Sequence, residues 1–213
     1  MIRDEAVAEL QIIMGFRSDL SSSIVTALQI AQKHFEQSWP DPSNLPWFLI
    51  TERATASTTA NEERLAKPAD WLGDIEEDGL WLTNPDGKEI LLEKADLDDL
   101  RELYGNSTAA FPKAYAFDGL YYRLFPKPNA IYLSKMQYFS EAPTLSLGTS
   151  ENSWLKYASD ILIGRAGIIL CAGAKDGRLS LCQQLLVDAI AAVNSKSLEI
   201  KYGGKQSSMG EAN

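Results

Sequence analysis

The sequence predicts an α+β fold: an antiparallel helix bundle built from N- and C-terminal helices, with an inserted antiparallel β region and a flexible C-terminal tail. Three observations carry this. Apolar residues recur at three- and four-residue spacing near both ends of the chain. Between those ends, short β-favouring runs alternate with turn signals. The last residues, 201–213, are polar and bear Gly and Ser. The expected segments are residues 1–42 (N-terminal helices), 43–145 (β-rich insertion), 146–200 (C-terminal helices) and 201–213 (tail). A chain of 213 residues, 45% apolar and 23% charged, has enough material for a core and is not broadly disordered.

The first helix follows from Ala6, Val7, Leu10, Ile13 and Met14, the second from Ile24, Val25, Leu28, Ala31 and Phe35. Between them Gly15 supplies a stop and Asp19 a cap. Trp39-Pro40-Asp41-Pro42 ends the helical text, since two prolines forbid continuation. Phe48–Thr51 and Ala54–Thr59 favour strands. Asn84-Pro85-Asp86-Gly87, between Leu80-Trp81-Leu82 and Ile90-Leu91-Leu92, marks a hairpin. Asp96 caps a short helix to Tyr104, with Leu97, Leu100 and Leu103 on one face.

Tyr115-Ala116-Phe117, Asp118-Gly119 and Leu120–Phe125 spell a second hairpin. Pro126-Lys127-Pro128-Asn129 turns the chain into Ile131–Leu133 and Met136–Phe139, which makes a three-stranded meander. Asn152 caps a helix over Trp154–Gly173 that is apolar on most faces, so it sits inside a bundle or between subunits. Asp176-Gly177 breaks it. A last helix carries Cys182, Leu185, Leu186, Ala189, Ile190 and Val193 as a stripe, with Gln183, Gln184, Asp188 and Asn194 off it.

Net charge −9 excludes the electrostatic footprint of a groove-gripping nucleic-acid binder and disfavours an anionic membrane. The longest nearly apolar run, Ile161–Ala174, is about 14 residues, short of the roughly 20 a spanning helix needs. The opening MIRDEAVAEL carries charges where a signal peptide is apolar. Cys171 and Cys182 read as buried thiols of a protein made in a reducing cytosol, and two cysteines with one histidine make no zinc set.

Candidate chemistry is thin. His34 has no nucleophile elbow beside it and suits the end of a helix. Asp74-x-Glu76-x-Asp78-Gly79 only partly imitates a calcium loop. Gly203-Gly204-Lys205 lacks the rest of a phosphate loop, and Gly164 and Gly167 permit close helix approach. The aromatic residues of the β region suit a sheet core and a protein-binding surface. No catalytic, cofactor or metal site is expected. Residues 61–99 hold 13 acids against four bases, a balance of −9 that equals the charge of the whole chain. Such a face steers a basic partner, lines a passage for a polyanion, or is a solvating surface.

The order of short motifs carries a resemblance. Pro68-Ala69-Asp70-Trp71-Leu72 is followed by Phe111-Pro112-Lys113-Ala114-Tyr115, then Asp118-Gly119 and Leu124-Phe125-Pro126-Lys127-Pro128. Tyr138-Phe139 and Asn152-x-Trp154-Leu155 complete the succession. It resembles the head–tail adaptor (connector) proteins of tailed bacteriophages over roughly residues 68–200, although the strand after Pro46 is unusually rich in Thr and Ala.

The resemblance implies a structural virion protein, made in the host cytoplasm, at the portal vertex. It joins the portal protein to a tail or nozzle protein, in a ring of identical subunits, commonly twelve. Passing DNA meets it only as a conduit, in head completion and ejection, and no membrane is involved. Trp154, Leu155, Ile161, Leu162, Cys182 and Leu186 are then the expected subunit or bundle packing residues. Lys201, Tyr202, Lys205 and Met209 in the tail are the expected portal-docking residues. The competing reading is an acidic α+β protein-binding module without ring assembly.

Overall fold

The computed structural model describes residues 1–40, 45–51, 54–75, 79–172 and 177–202. The chain begins with α1 (Arg3–Ile13) and α2 (Ser21–Gln37). Strands β1 (Ala54–Ser57), β2 (Arg64–Ala66), β3 (Trp71–Asp74), β4 (Leu80–Thr83), β5 (Glu89–Leu91) and β6 (Glu93–Lys94) lead to α3 (Leu97–Tyr104). Strands β7 (Ala114–Asp118), β8 (Tyr121–Phe125), β9 (Leu133–Met136) and β10 (Tyr138–Ser140) follow. Helices α4 (Ser153–Tyr157), α5 (Ser159–Cys171) and α6 (Arg178–Tyr202) close the described part. This is an α+β protein with two compact units: a helical one from residues 1–49 and 141–213, and a β one from residues 50–140.

In the helical unit α5 is the centre, packed by α1, α2, α4 and α6. Its sequence explains that place. Ile161, Leu162 and Ile163 point in different directions around the helix, and all three are fully buried. Gly164 and Gly167 let α6 come close: a Cβ on Gly164 would lie 3.0 Å from Leu186 Cβ, and one on Gly167 2.5 Å from Cys182 Sγ. The first turn of α1 is satisfied from the far end of the chain, with Arg3 N donating to Ser150 O (2.9 Å) and Asp4 N to Gly148 O (3.1 Å).

Two helix boundaries differ from expectation. Asp19 does not cap α2; it lies in a single 3₁₀ turn, Ser18–Leu20, and its carboxylate holds Arg17 at 2.6 Å. The segment expected as one helix over Trp154–Gly173 is two, because Ala158 leaves helical geometry (φ −149°, ψ 41°) between α4 and α5. The expected break at Asp176 and the chain around Pro42 lie outside the described residues.

In the β unit both hairpins form where the turn residues place them: β4 pairs with β5 around Gly87 (φ +80°), and β7 with β8 around Gly119 (φ +57°). Asp96 caps α3 through its side chain, which accepts from Asp98 N at 2.9 Å. The meander does not form. Instead β9 leaves β8 and pairs on its two sides with β1 and β4, in a sheet ordered β1-β9-β4-β5. Strand β8 sits in another sheet, β2-β8-β7-β6, and β10 pairs with β3. The Phe125–Pro126 bond is cis, and Pro126-Lys127-Pro128 redirects the chain between the sheets. One pair, β6 with β7, is parallel. Phe48–Leu49, expected as a strand, is a 3₁₀ turn over Trp47–Leu49, with Ile50 joined to Phe139 by an isolated bridge.

Candidate assembly interface

Helix α4 starts at Asn152, whose Oδ1 accepts from Leu155 N at 3.0 Å. That start aims Trp154 inward, fully buried, against Phe48, Trp39 and Phe35 with ring centroids 5.2, 5.9 and 6.0 Å away. The indole N–H must then find an acceptor inside the core. Glu36 Oε1 supplies it at 3.0 Å, and also accepts from Ala142 N (3.0 Å) and Gln32 Nε2 (3.1 Å). Gln32 Nε2 also donates to Ala142 O (2.8 Å), and Gln32 Oε1 accepts from Asn152 Nδ2 (3.0 Å). The network ties α2 to the 142–143 segment and to α4. Burial pushes the Glu36 carboxyl above its ordinary range; the three hydrogen bonds oppose this, and the charge of Glu141 adds to it.

The expected packing residues lie in this unit. Trp154, Leu155, Ile161, Leu162 and Cys182 are buried within their own chain, and Leu186 is half-buried on α6 against Gly164. The apolar surface of α5 is therefore not surplus: α2 and α6 cover it. Large apolar side chains are exposed elsewhere: Ile12, Phe16 and Ile30 on the α1–α2 pair, and Leu181, Val187, Leu198 and Ile200 on α6. Lys201 and Tyr202 end α6, while Lys205 and Met209 lie outside the described residues.

Asn194, expected off the α6 stripe, is turned partly inward, and among the described residues neither its Oδ1 nor the Oγ of buried Ser197 has a hydrogen-bond partner. His34 is half-buried edge-on to Phe35 at 5.1 Å, and burial, then the charge of Arg165, holds its pKa down.

In the β unit the motif residues build the scaffold. Pro112, Pro126 and Pro128 are buried, as is Tyr115. Pro68 is half-buried, ahead of exposed Asp70, whose Oδ1 accepts from Tyr138 OH at 2.9 Å. Burial first, and then that carboxylate, push the Tyr138 phenol up to about 12. Trp71 Nε1 donates to Asp74 Oδ1 at 3.1 Å, and Lys94 Nζ stands 3.6 Å from Asp74 Oδ2. Lys67 Nζ lies 3.9 Å from the Trp71 ring centroid and 4.3 Å from that of Phe117. Burial, then the Asp74 charge, push Tyr115 up to about 12. These groups neutralise one another. Glu76, Glu77 and Asp78 lie outside the described residues.

The acidic surplus of residues 61–99 is partly met from outside that stretch: Arg123 pairs with Glu63 and Lys135 with Glu89. Arg101, also outside it, pairs with exposed Asp98 at 3.2 Å, and Asp86, Glu93, Asp96 and Asp99 are exposed as well. Among the described residues there is no group of three His, Cys, Asp or Glu placed to hold a metal ion. Among the same residues no helix is long and apolar enough to cross a membrane.

The described residues of the helical unit thus combine a packed interior with exposed apolar side chains on the helices. No curated protein matches the chain. The family model described as SU10 adaptor protein matches residues 2–205, both units together, including every motif from Pro68 to Trp154. The chain therefore belongs to the SU10 adaptor protein family, a family of structural phage head–tail adaptors.

Proposed function

We propose that the protein joins the portal to the tail as a ring of identical subunits that extends the DNA channel, and that it serves in head completion and DNA ejection. The observation that carries the ring is the helical unit itself. Its core is closed, yet it still exposes Ile12, Phe16, Ile30, Leu181, Val187, Leu198 and Ile200. Exposed apolar side chains on both the α1–α2 pair and α6 are groups that a protein neighbour would cover, and a ring supplies identical neighbours on two different faces of every subunit.

In this reading the helical bundle carries the inter-subunit contacts, and the C-terminal tail with Lys201, Tyr202, Lys205 and Met209 docks on the portal. Exposed carboxylates such as Asp86 and Asp99 repel the phosphate backbone, so DNA passes without being held. The isolated protein forms at most weak oligomers and closes into a ring on the portal.

The test is a portal pull-down with and without residues 201–213, read together with the mass of the bound species. Loss of capture on truncation and a multi-subunit mass are expected. Undiminished capture removes the tail from the docking role, and a single bound copy favours a binding module without ring assembly.

A further inference from the structure

Both cysteines of the chain and one of its four methionines meet inside the helical unit. Met14 is the cap residue at the C-terminal end of α1, Cys171 is the last residue of α5, and Cys182 is in the second turn of α6. They form one buried cluster, at 4%, 3% and 0% exposure. Both cysteines stand as thiols rather than as a disulfide.

The packing of three helices sets the geometry. The Cys171 thiol donates to Met14 Sδ at 3.9 Å. Cys182 Sγ stands against Gly167, one turn before Cys171 on α5. A Cβ on Gly167 would lie 2.5 Å from that sulfur and 3.7 Å from Leu10, itself one turn before Met14 on α1. The side chain that Gly167 lacks is thus the room the third sulfur uses. Among the described residues the shell packed on the three is apolar: Ile13, Leu20, Ile168, Leu170 and Leu179.

A buried thiol can fill a core as a small apolar group, but the spacing here also suits a metal ion. Two sulfurs bound at about 2.3 Å stand about 4.0 Å apart around a trigonal ion and about 3.8 Å apart around a tetrahedral one. The Cys171–Met14 separation of 3.9 Å falls between these values. Thiolate and thioether donors select soft ions, Cu(I) foremost. A monovalent ion needs one thiolate to be neutral, which lowers the cost of burial. One thiol then gives its proton to solvent, while the second thiol and the thioether bind as neutral donors.

We infer that Met14, Cys171 and Cys182 form a three-sulfur site for Cu(I), which staples α1, α5 and α6 together. Met14 and Cys171 lie at helix ends, which open more readily than helix middles and give the ion its entry. The site is independent of the ring reading above and stands or falls without it.

The test uses the full-length chain, kept reduced and free of oxygen. It is mixed with Cu(I), and competition with a Cu(I) chelator gives the copper bound and its affinity. The melting temperature is read on the same samples. One copper per chain and a higher melting temperature are expected. Met14→Leu, which nearly conserves volume, should bind at least about tenfold more weakly. The double variant Cys171→Ala, Cys182→Ala should bind none; if it does not fold, Met14→Leu decides alone.

A parent chain that takes up no copper, or a Met14→Leu affinity equal to the parent's, overturns the inference. Copper kept by the double variant does the same. Zn(II) held as tightly as Cu(I) overturns the choice of metal.

Discussion

The helical and β units bury their polar groups in opposite ways. The helical unit gathers Gln32, Glu36, Asn152 and Trp154 into one hydrogen-bonded network, with the Trp154–Glu36 bond spanning 118 residues of sequence. Every member is needed to satisfy another, and the low dielectric of a core magnifies any loss. The β unit instead sets the Lys67 ammonium over Trp71 and Phe117 and pairs Asp74 with Lys94, contacts that are partly open to water. Such contacts are individually weak and replaceable. The Trp154 network is therefore brittle, whereas the Lys67 and Asp74 contacts tolerate change.

The largest effect should come from Trp154→Ala, which empties the aromatic centre and leaves Glu36 without its indole donor. We expect a loss of about 3–5 kcal/mol in chemical denaturation, and near-parental stability would break the contrast. Lys67→Ala uncovers the Trp71 and Phe117 faces and should cost only about 0.5–2 kcal/mol by the same measurement. A loss matching that of Trp154→Ala would show the Lys67 contacts to be equally brittle.

The smallest effect at neutral pH belongs to Glu36→Gln, whose amide oxygen can still accept all three hydrogen bonds. Its signature is a pH dependence. Because burial raises the folded-state pKa of Glu36 above its unfolded value, the native state binds the proton more readily. That contribution to stability is fully present below the unfolded value of about 4.3 and is lost as pH rises through the folded value. The parent should therefore gain on Glu36→Gln in thermal melts as the pH falls from 7 toward 4.3. A pH-independent difference would contradict the assignment.

Local features of the fold were legible in the sequence. Asn152 and Asp96 cap helices and Gly87 and Gly119 make hairpins through bonds within a few residues, so residue type and position decide them. The pairing of β9 with β1 and β4 was not legible, because turn residues specify a neighbour in sequence and say nothing of partners 50 to 80 residues away. Phe48 and Leu49 have strand-forming side chains, but packing near Trp154 overrides that preference.

The closely approaching pair Gly164 and Gly167 could be read from spacing alone. The role of Glu36 was missed, although the signal existed: Gln32 and Glu36 stand four residues apart beside Leu28, Ala31 and Phe35 on the buried side of α2.

A ring of this chain between portal and tail, as proposed, is large enough to be seen directly. Electron micrographs of purified portal with and without the full-length chain test it most directly. An added closed ring of density, coaxial with the portal and retained with Lys67→Ala, is expected. Portals left bare beside a monomeric, folded chain would contradict it.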